Sequence, residues 1–209
     1  EPHLADRHER ALFFPDEAHI NPRGALMHLR TRLHEAGARF EQSDAALPGS
    51  VIDCRGLAAQ DSLPNLRGVK GEMVVLHSRD VTLSRPIRLL HPRFPLYIVP
   101  RGDGVFMLGA TQIESAERGR ASARSVMELL SAAYALHPAF GEAEVLEIGA
   151  DARPAFPDNL PRLSRKGGTL YVNGLFRHGF LLSPVVARMA AELILGTSQK
   201  PEFYHEDHG

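Results

Sequence analysis

The 209-residue chain has one cysteine, Cys54, so no internal disulfide framework can hold it together; a reducing, cytoplasmic setting is the natural expectation. It has no charge excess of either sign. Lys and Arg number 24 against 25 Asp and Glu, a formal net charge of −1, and nothing in that balance points to a nucleic-acid partner. No long uninterrupted apolar run is evident: the most apolar stretch, near the C-terminus, is broken by Arg188 and Glu192, so no membrane span is expected. The opening residues, Glu1-Pro2-His3-Leu4-Ala5-Asp6-Arg7, contain neither the apolar core of a secretory signal nor an initiator Met, and they read as the interior of a longer protein.

Several catalytic signatures are also missing. Eleven histidines occur, yet none sit at zinc-like spacing with a supporting Cys or carboxylate. The nearest approach, His205-Glu206-Asp207-His208, lies in a polar end stretch expected to fray, and no metal is expected. There is no Gly-x-Ser-x-Gly elbow for a serine nucleophile. There is no Gly-x-Gly-x-x-Gly phosphate cradle; Gly102-x-Gly104 sits in a hairpin turn with no helix after it. Cys54 precedes Arg55, which would lower a thiol pKa, but a structural cysteine at a strand end fits the local pattern as well.

What is present is an ordinary globular composition, 44% hydrophobic and 23% charged, long enough for one large domain or two small ones. Short strands are expected at 11–14, 38–40, 51–54, 73–76 (apolar throughout, hence buried), 87–90, 144–148 and 170–173. Asn21-Pro22 supplies a cap and first residue for a helix whose apolar face is Leu26, Leu29 and Leu33 and whose stop is Gly37. Residues 96–99 and 105–108, joined by Asp103-Gly104, form the clearest hairpin. A second helix is expected over 123–136, with Val126, Leu129, Leu130, Ala133 and Leu136 as its stripe and Pro138 as its stop. Residues 43–50, 63–71 and 149–168 read as loop or turn.

The pattern suggests two interleaved domains. A mostly antiparallel sheet unit covers 1–20 and 63–148; an α/β unit is built from 21–62 and 149–196; 197–209 is a tail.

Most of the chemical interest falls on Gly174-Leu175-Phe176-Arg177-His178-Gly179-Phe180-Leu181-Leu182-Ser183-Pro184. A cationic loop between glycines runs into an apolar helix, with Ser183 expected as its N-cap, Pro184 as its first residue and Gly196 as its stop. A helix N-terminus there offers free N–H groups and partial positive charge to an anion or an electron-rich ring edge; a loop that merely packs a helix is the alternative. Arg177 here and Arg153, in Ala152-Arg153-Pro154, are suited to grip a carboxylate by two parallel bonds, or else to pair with Asp151, Asp158 or Glu147.

Those segments carry a resemblance. Asn21-Pro22-Arg23, Val51 to Ala58, Val69-Lys70-Gly71-Glu72, Tyr97 to Thr111, Ala152-Arg153-Pro154 with Asp158 and Pro161, and Gly174 to Pro184 occur here in the order found in the FAD-dependent D-amino-acid oxidase family. The glycine oxidases of thiamine biosynthesis are the nearest branch, and the likeness covers most of 1–196. It implies the later part of an α+β and α/β fold, in which an antiparallel-sheet substrate domain is interleaved with the C-terminal part of an FAD-binding domain. It further implies FAD as cofactor, Arg153 on the substrate carboxylate, Arg177 beside substrate and flavin, and Tyr97 lining the substrate pocket. Gly56 would let the backbone pass close to the cofactor, and the N–H groups of His178, Gly179, Phe180 and Leu181 would face the flavin's pyrimidine edge.

The implied reaction oxidises glycine or a similar small amino acid or amine to the imine, with hydride passing to flavin, hydrogen peroxide as co-product and no side-chain acid or base. Implied partners are that substrate alone, without nucleic acid or membrane, in a chain compatible with a homo-oligomer.

The sequence departs from the family in places. The family's N-terminal Gly-rich turn and its ribose-binding acid are absent, and only ten residues separate Phe40 from Val51. Pro95 and Gln112 stand where glycine oxidases carry a histidine and a methionine. A truncated, non-catalytic binding or assembly module and a dehydrogenase of the same superfamily are the competing readings.

Overall fold

A computed structural model describes residues 1–42, 49–90, 96–197 and 201–206. The helices are α1 (Pro22–Glu35), α2 (Ala123–Leu136) and α3 (Gly179–Leu195). The strands are β1 (Val51–Asp53), β2 (Arg67–His77), β3 (Ile87–Leu89), β4 (Leu96–Gly102), β5 (Val105–Gly109), β6 (Ile113–Glu114), β7 (Glu144–Ala155), β8 (Arg162–Lys166), β9 (Thr169–Asn173) and β10 (Tyr204–Glu206). The chain forms two compact units, one of residues 1–25, 70–113 and 118–151, the other of 26–69, 114–117 and 152–209. The mixed α/β class expected from the sequence is what the chain adopts.

The first unit holds a sheet in the order β3-β4-β5-β2-β6, each strand antiparallel to its neighbour, with β7 also pairing β2. Its hairpin is the one expected. Asp103 and Gly104 both take positive φ, 50° and 71°, as a turn matched to the right-handed twist of its strands requires. A side chain at 104 is doubly excluded, since its Cβ would lie 2.6 Å from the Ser78 carbonyl oxygen.

Alternation on β2 sends Val74 and Leu76 into the core and leaves Met73 and Val75 half-buried. This corrects the expectation that 73–76 is buried throughout, because the strand has one core-facing side. The core gathers Val74, Leu76, Leu96, Ile98, Phe106 and Leu108 of the sheet under Leu129, Ala133 and Leu136 of α2. Each large aliphatic buried there contributes about 1.5–3 kcal/mol.

Helix α2 spans the residues expected, and Ser122 caps it by accepting the Ser125 amide at 3.2 Å. A buried carboxylate ties this cap to the sheet. Glu72, 1% exposed, accepts the Ser122 amide at 2.9 Å and the Thr111 hydroxyl at 3.0 Å, with Lys70 Nζ 3.8 Å away. Burial alone would raise its pKa. Hydrogen bonds from Ser125, Ser122 and Thr111, with the Lys70 charge, outweigh that and hold it below the ordinary carboxylate range.

The second unit carries a four-stranded mixed sheet, β1-β9-β8-β10, in which β1 runs parallel to β9, β9 antiparallel to β8, and β8 parallel to β10. Leu163 and Leu170 of that sheet pack on Val186 and Ala190 of α3. A second cluster joins Leu57, Ala59, Leu63 and Leu66 to Ala152 and Phe156.

Several expectations are corrected. Residues 11–14 form no strand; Phe13 and Phe14 lie exposed, Phe13 under the Arg85 guanidinium. Residues 38–40 are likewise not a strand. Helix α1 forms, and Asn21 Oδ1 accepts the Gly24 amide at 3.1 Å as its cap, but Leu26, Leu29 and Leu33 are exposed, so the apolar face has no cover among the described residues. Residues 67–71 belong to β2, and 149–155 and 162–166 belong to β7 and β8. Proline and glycine there did not prevent pairing.

The tail does not simply fray. Tyr204 to Glu206 pair with β8, and Phe203 and Tyr204 pack on the α3 cluster. The turn-rich link at 43–48, Pro95, and the tail's Asp207 and His208 lie outside the described residues. Finally, Phe176–Leu195 is long and apolar enough by length and composition to cross a membrane, with mean hydropathy 1.3, so Arg188 and Glu192 do not interrupt it as expected. The core helix of a soluble protein meets the same test.

Candidate functional site

The candidate site is built where β9 ends. Asn173 closes the strand, and Gly174 turns the chain at φ +79°. A Cβ on Gly174 would lie 2.3 Å from Phe156 Cδ2, so both conformation and space demand glycine. Phe176 also takes a positive φ, 49°, which is rare outside glycine. Phe176, Arg177 and His178 make one 3-10 turn, and α3 begins at Gly179.

The helix therefore starts four residues before the expected cap. Ser183 is an interior residue whose hydroxyl donates back to the Gly179 carbonyl at 2.5 Å, and Pro184 lies inside the helix. Lacking an N–H, Pro184 leaves the Phe180 carbonyl without its usual intrahelical donor. Gly196 stops the helix as expected, at φ +68°.

The early start decides which residues open the helix. The His178 amide donates to the Leu175 carbonyl at 2.9 Å, and the 3-10 turn of Phe176, Arg177 and His178 runs directly into α3, whose N-terminus has no side-chain cap. No heavy atom comes within 4 Å of where a Gly179 Cβ would sit, and Arg177, His178, Phe180 and Leu181 are exposed. The helix start is thus an exposed, positively polarised edge with the Arg177 side chain just before it.

The second glycine turn reaches the same place. Gly56, at φ +62°, opens a 3-10 turn over Gly56–Asp61, and its carbonyl accepts Asn173 Nδ2 at 2.8 Å. Asn173 Oδ1 in turn accepts the Gly174 amide at 2.8 Å. One buried side chain thereby joins the two turns. Nothing in the sequence marked Asn173; an Asn-Gly pair reads as a local turn, and its partner lies 117 residues away.

Arg153 is half-buried on β7, not in a loop as expected, between buried Ala152 and Pro154. Nearby, Glu147 takes Arg23 by both oxygens, Asp151 takes Arg118, and Asp158 takes Arg162. Tyr97 lies on β4 of the first unit, and its ring crosses Gly109, whose Cβ would come 2.8 Å from the Tyr97 hydroxyl. Gln112 is exposed after β5. Two cavities of the first unit, about 350 and 1140 Å³, are lined by none of these residues.

Cys54 is not activated by its neighbour. Arg55 turns its guanidinium to Asp53 at 2.8 Å and, by two bonds, to Asp61. Cys54 is exposed at the surface; partial desolvation of its thiol, then the Asp53 charge, push its pKa up. Among the described residues no three His, Cys, Asp or Glu gather as a metal site.

The start of α3, the arginine just before it and two glycine turns held by one asparagine thus lie together, in a sequence without a Gly-x-Gly-x-x-Gly cradle. Comparison with known proteins places the chain in a family. The family model described as FAD dependent oxidoreductase, DAO, matches residues 1–193. A Rhizobium etli protein bearing the name thiamine biosynthesis oxidoreductase ThiO is 55% identical over 207 residues, covering 97% of this chain and 63% of that protein. A Bacillus licheniformis glycine oxidase is 30% identical over 138 residues, covering 65% of this chain and 36% of its own length. The crystal structure of glycine oxidase from Geobacillus kaustophilus superposes with TM-score 0.62 at 28% identity, over 74% of this chain and 43% of that one. The chain spans less than two thirds of these relatives. With the family model matched along nearly all of its length, the chain belongs to the DAO family of FAD-dependent oxidoreductases.

Proposed function

We propose that this chain carries the flavin-ring-facing and substrate-facing parts of an oxidase of glycine or a similar small amino acid or amine, serving thiamine biosynthesis in the cytoplasm. The observation that carries the reading is the exposed start of α3 without a side-chain cap, where Gly179, Phe180 and Leu181 follow Arg177. When bound, FAD supplies the two-electron acceptor for hydride from the substrate's α-carbon and returns those electrons to oxygen as hydrogen peroxide.

The residues of the chain do the rest. Amides 179–181 and the α3 dipole stabilise negative charge on the pyrimidine edge. His178, its amide engaged, lines that edge through its exposed ring. Gly56 keeps side-chain bulk away from the cofactor. Arg153 binds the substrate carboxylate as a planar fork and Arg177 lies beside substrate and flavin, and the family resemblance adds Tyr97 as a substrate-pocket residue. No side chain is needed as base at the α-carbon, because the lone pair of the neutral amine forms the C=N bond as hydride departs, and the resulting iminium releases its N–H proton to water. The first unit corresponds to the substrate domain, and the second to the remainder of the cofactor domain.

The test is spectroscopic. The full-length protein that includes this chain, supplied with FAD, is expected to show a flavin absorption band that glycine bleaches without air and oxygen restores, with peroxide formed. A colourless protein would favour a non-catalytic binding module. A band that bleaches but is restored only by an artificial acceptor would favour a dehydrogenase.

A further inference from the structure

Asn173 is 2% exposed, and its carboxamide bonds to two backbone turns far apart in sequence. Nδ2 donates to the Gly56 carbonyl and Oδ1 accepts the Gly174 amide, both at 2.8 Å. Those partners fix the orientation of the amide, since the flipped group would set donor against donor and acceptor against acceptor. Both glycines sit at positive φ, 62° and 79°, so each turn is held in a conformation an ordinary residue resists. Gly174 is also braced from its other side by the Phe156 ring, itself covered by the Arg162 guanidinium at 4.3 Å.

We propose that Asn173 is a positioning residue for the cofactor: it locks the Gly56 turn and the loop leading to the α3 amides in one fixed separation, and so sets the geometry in which the flavin ring is received. The inference rests on the oxidase reading above. Asn173 itself touches no substrate. It acts through the Gly56 carbonyl and the Gly174 amide, and asparagine is the residue whose short side chain both donates and accepts there. Aspartate has the same shape but no donor, and it would face the Gly56 carbonyl with an oxygen, two acceptors at hydrogen-bond distance. Serine reaches one partner at most. Gln adds a methylene to a site with no room for it.

The experiment compares the full-length wild-type protein with Asn173→Asp, and with Asn173→Ser in case the aspartate variant does not fold. Leu170→Val, a core trim on the same strand touching neither turn, serves as a control for lost stability. FAD affinity is measured by titration of apoprotein, the bound flavin by its visible circular dichroism, and the two turns by amide hydrogen exchange in peptides covering 56–62 and 174–182. The expected result is faster exchange in both turns together, an FAD Kd raised about tenfold or more, and an altered flavin dichroism, with Leu170→Val keeping the wild-type Kd and spectrum. Wild-type affinity and dichroism in the Asn173 variants would overturn the positioning role while leaving the oxidase reading intact; so would loosening of only one turn. A wild-type protein that takes up no FAD would instead overturn the oxidase reading and this role with it.

Discussion

Truncation of Glu72 is the sharpest test of how the first unit is held together. Glu72→Ala removes the acceptor of the Ser122 amide at the start of α2 and of the Thr111 hydroxyl after β5, and it strips Lys70 of a carboxylate 3.8 Å away. Hydrogen bonds to a charged group contribute about 1.5–3 kcal/mol each, and breaking a buried pair by deleting one partner costs about 3–5 kcal/mol. These contributions overlap, so the expected loss is about 3–4 kcal/mol, a large share of a typical domain's stability. Glu72→Gln keeps the shape and one acceptor oxygen and should cost about 1–2 kcal/mol.

The assay is urea unfolding followed by circular dichroism, read as a shift in midpoint at constant slope. It carries an internal check in pH. The Glu72 pKa is lower in the folded than in the unfolded chain. Its stabilisation is therefore complete above the unfolded carboxylate value of about 4.3 and is lost as pH falls through the lower folded value. The gap between wild type and Glu72→Gln must narrow over that acidic window. A loss below about 1 kcal/mol for Glu72→Ala at neutral pH, or a gap that stays constant down to about pH 3, would refute the reasoning.

Other outcomes follow from the site. Gly174→Ala combines a positive φ with a Cβ 2.3 Å from the Phe156 ring and should cost about 2–4 kcal/mol, whereas Gly56→Ala, whose Cβ would find its nearest neighbour at 3.9 Å, should cost only the backbone strain of about 1–2 kcal/mol. Equal melting temperatures for the two variants would contradict this. In the full-length protein, Arg153→Ala should raise the KM for glycine about a hundredfold with a smaller change in kcat, measured by peroxide release; unchanged saturation would remove Arg153 from the carboxylate site. Cys54, exposed but with its pKa raised, should react slowly with iodoacetamide at neutral pH and speed up only above the usual thiol range; rapid neutral labelling would argue against the raised pKa.

The sequence alone determined the features that rest on neighbours along the chain. The Asp103-Gly104 hairpin, the bounds of α2, the Asn21 cap and the Gly196 stop depend on local torsions and one-turn hydrogen bonds, and each was legible. So was the family, because order and spacing of motifs are sequence properties. Tertiary pairing decided the rest. Residues 149–155 and 162–166 look like loop for their proline and glycine, yet each finds a partner strand, and 204–206 is a strand only because β8 offers it an edge. Ser183-Pro184 carries every local mark of a helix start, but α3 begins at Gly179, because the 3-10 turn after Gly174 already delivers the chain in helical geometry. The helix start without a side-chain cap therefore lies at Gly179, beside Arg177. Above all, the bond from Asn173 to the Gly56 carbonyl spans 117 residues. A contact of that separation is set by how strands pair, β1 beside β9, and no local pattern encodes it.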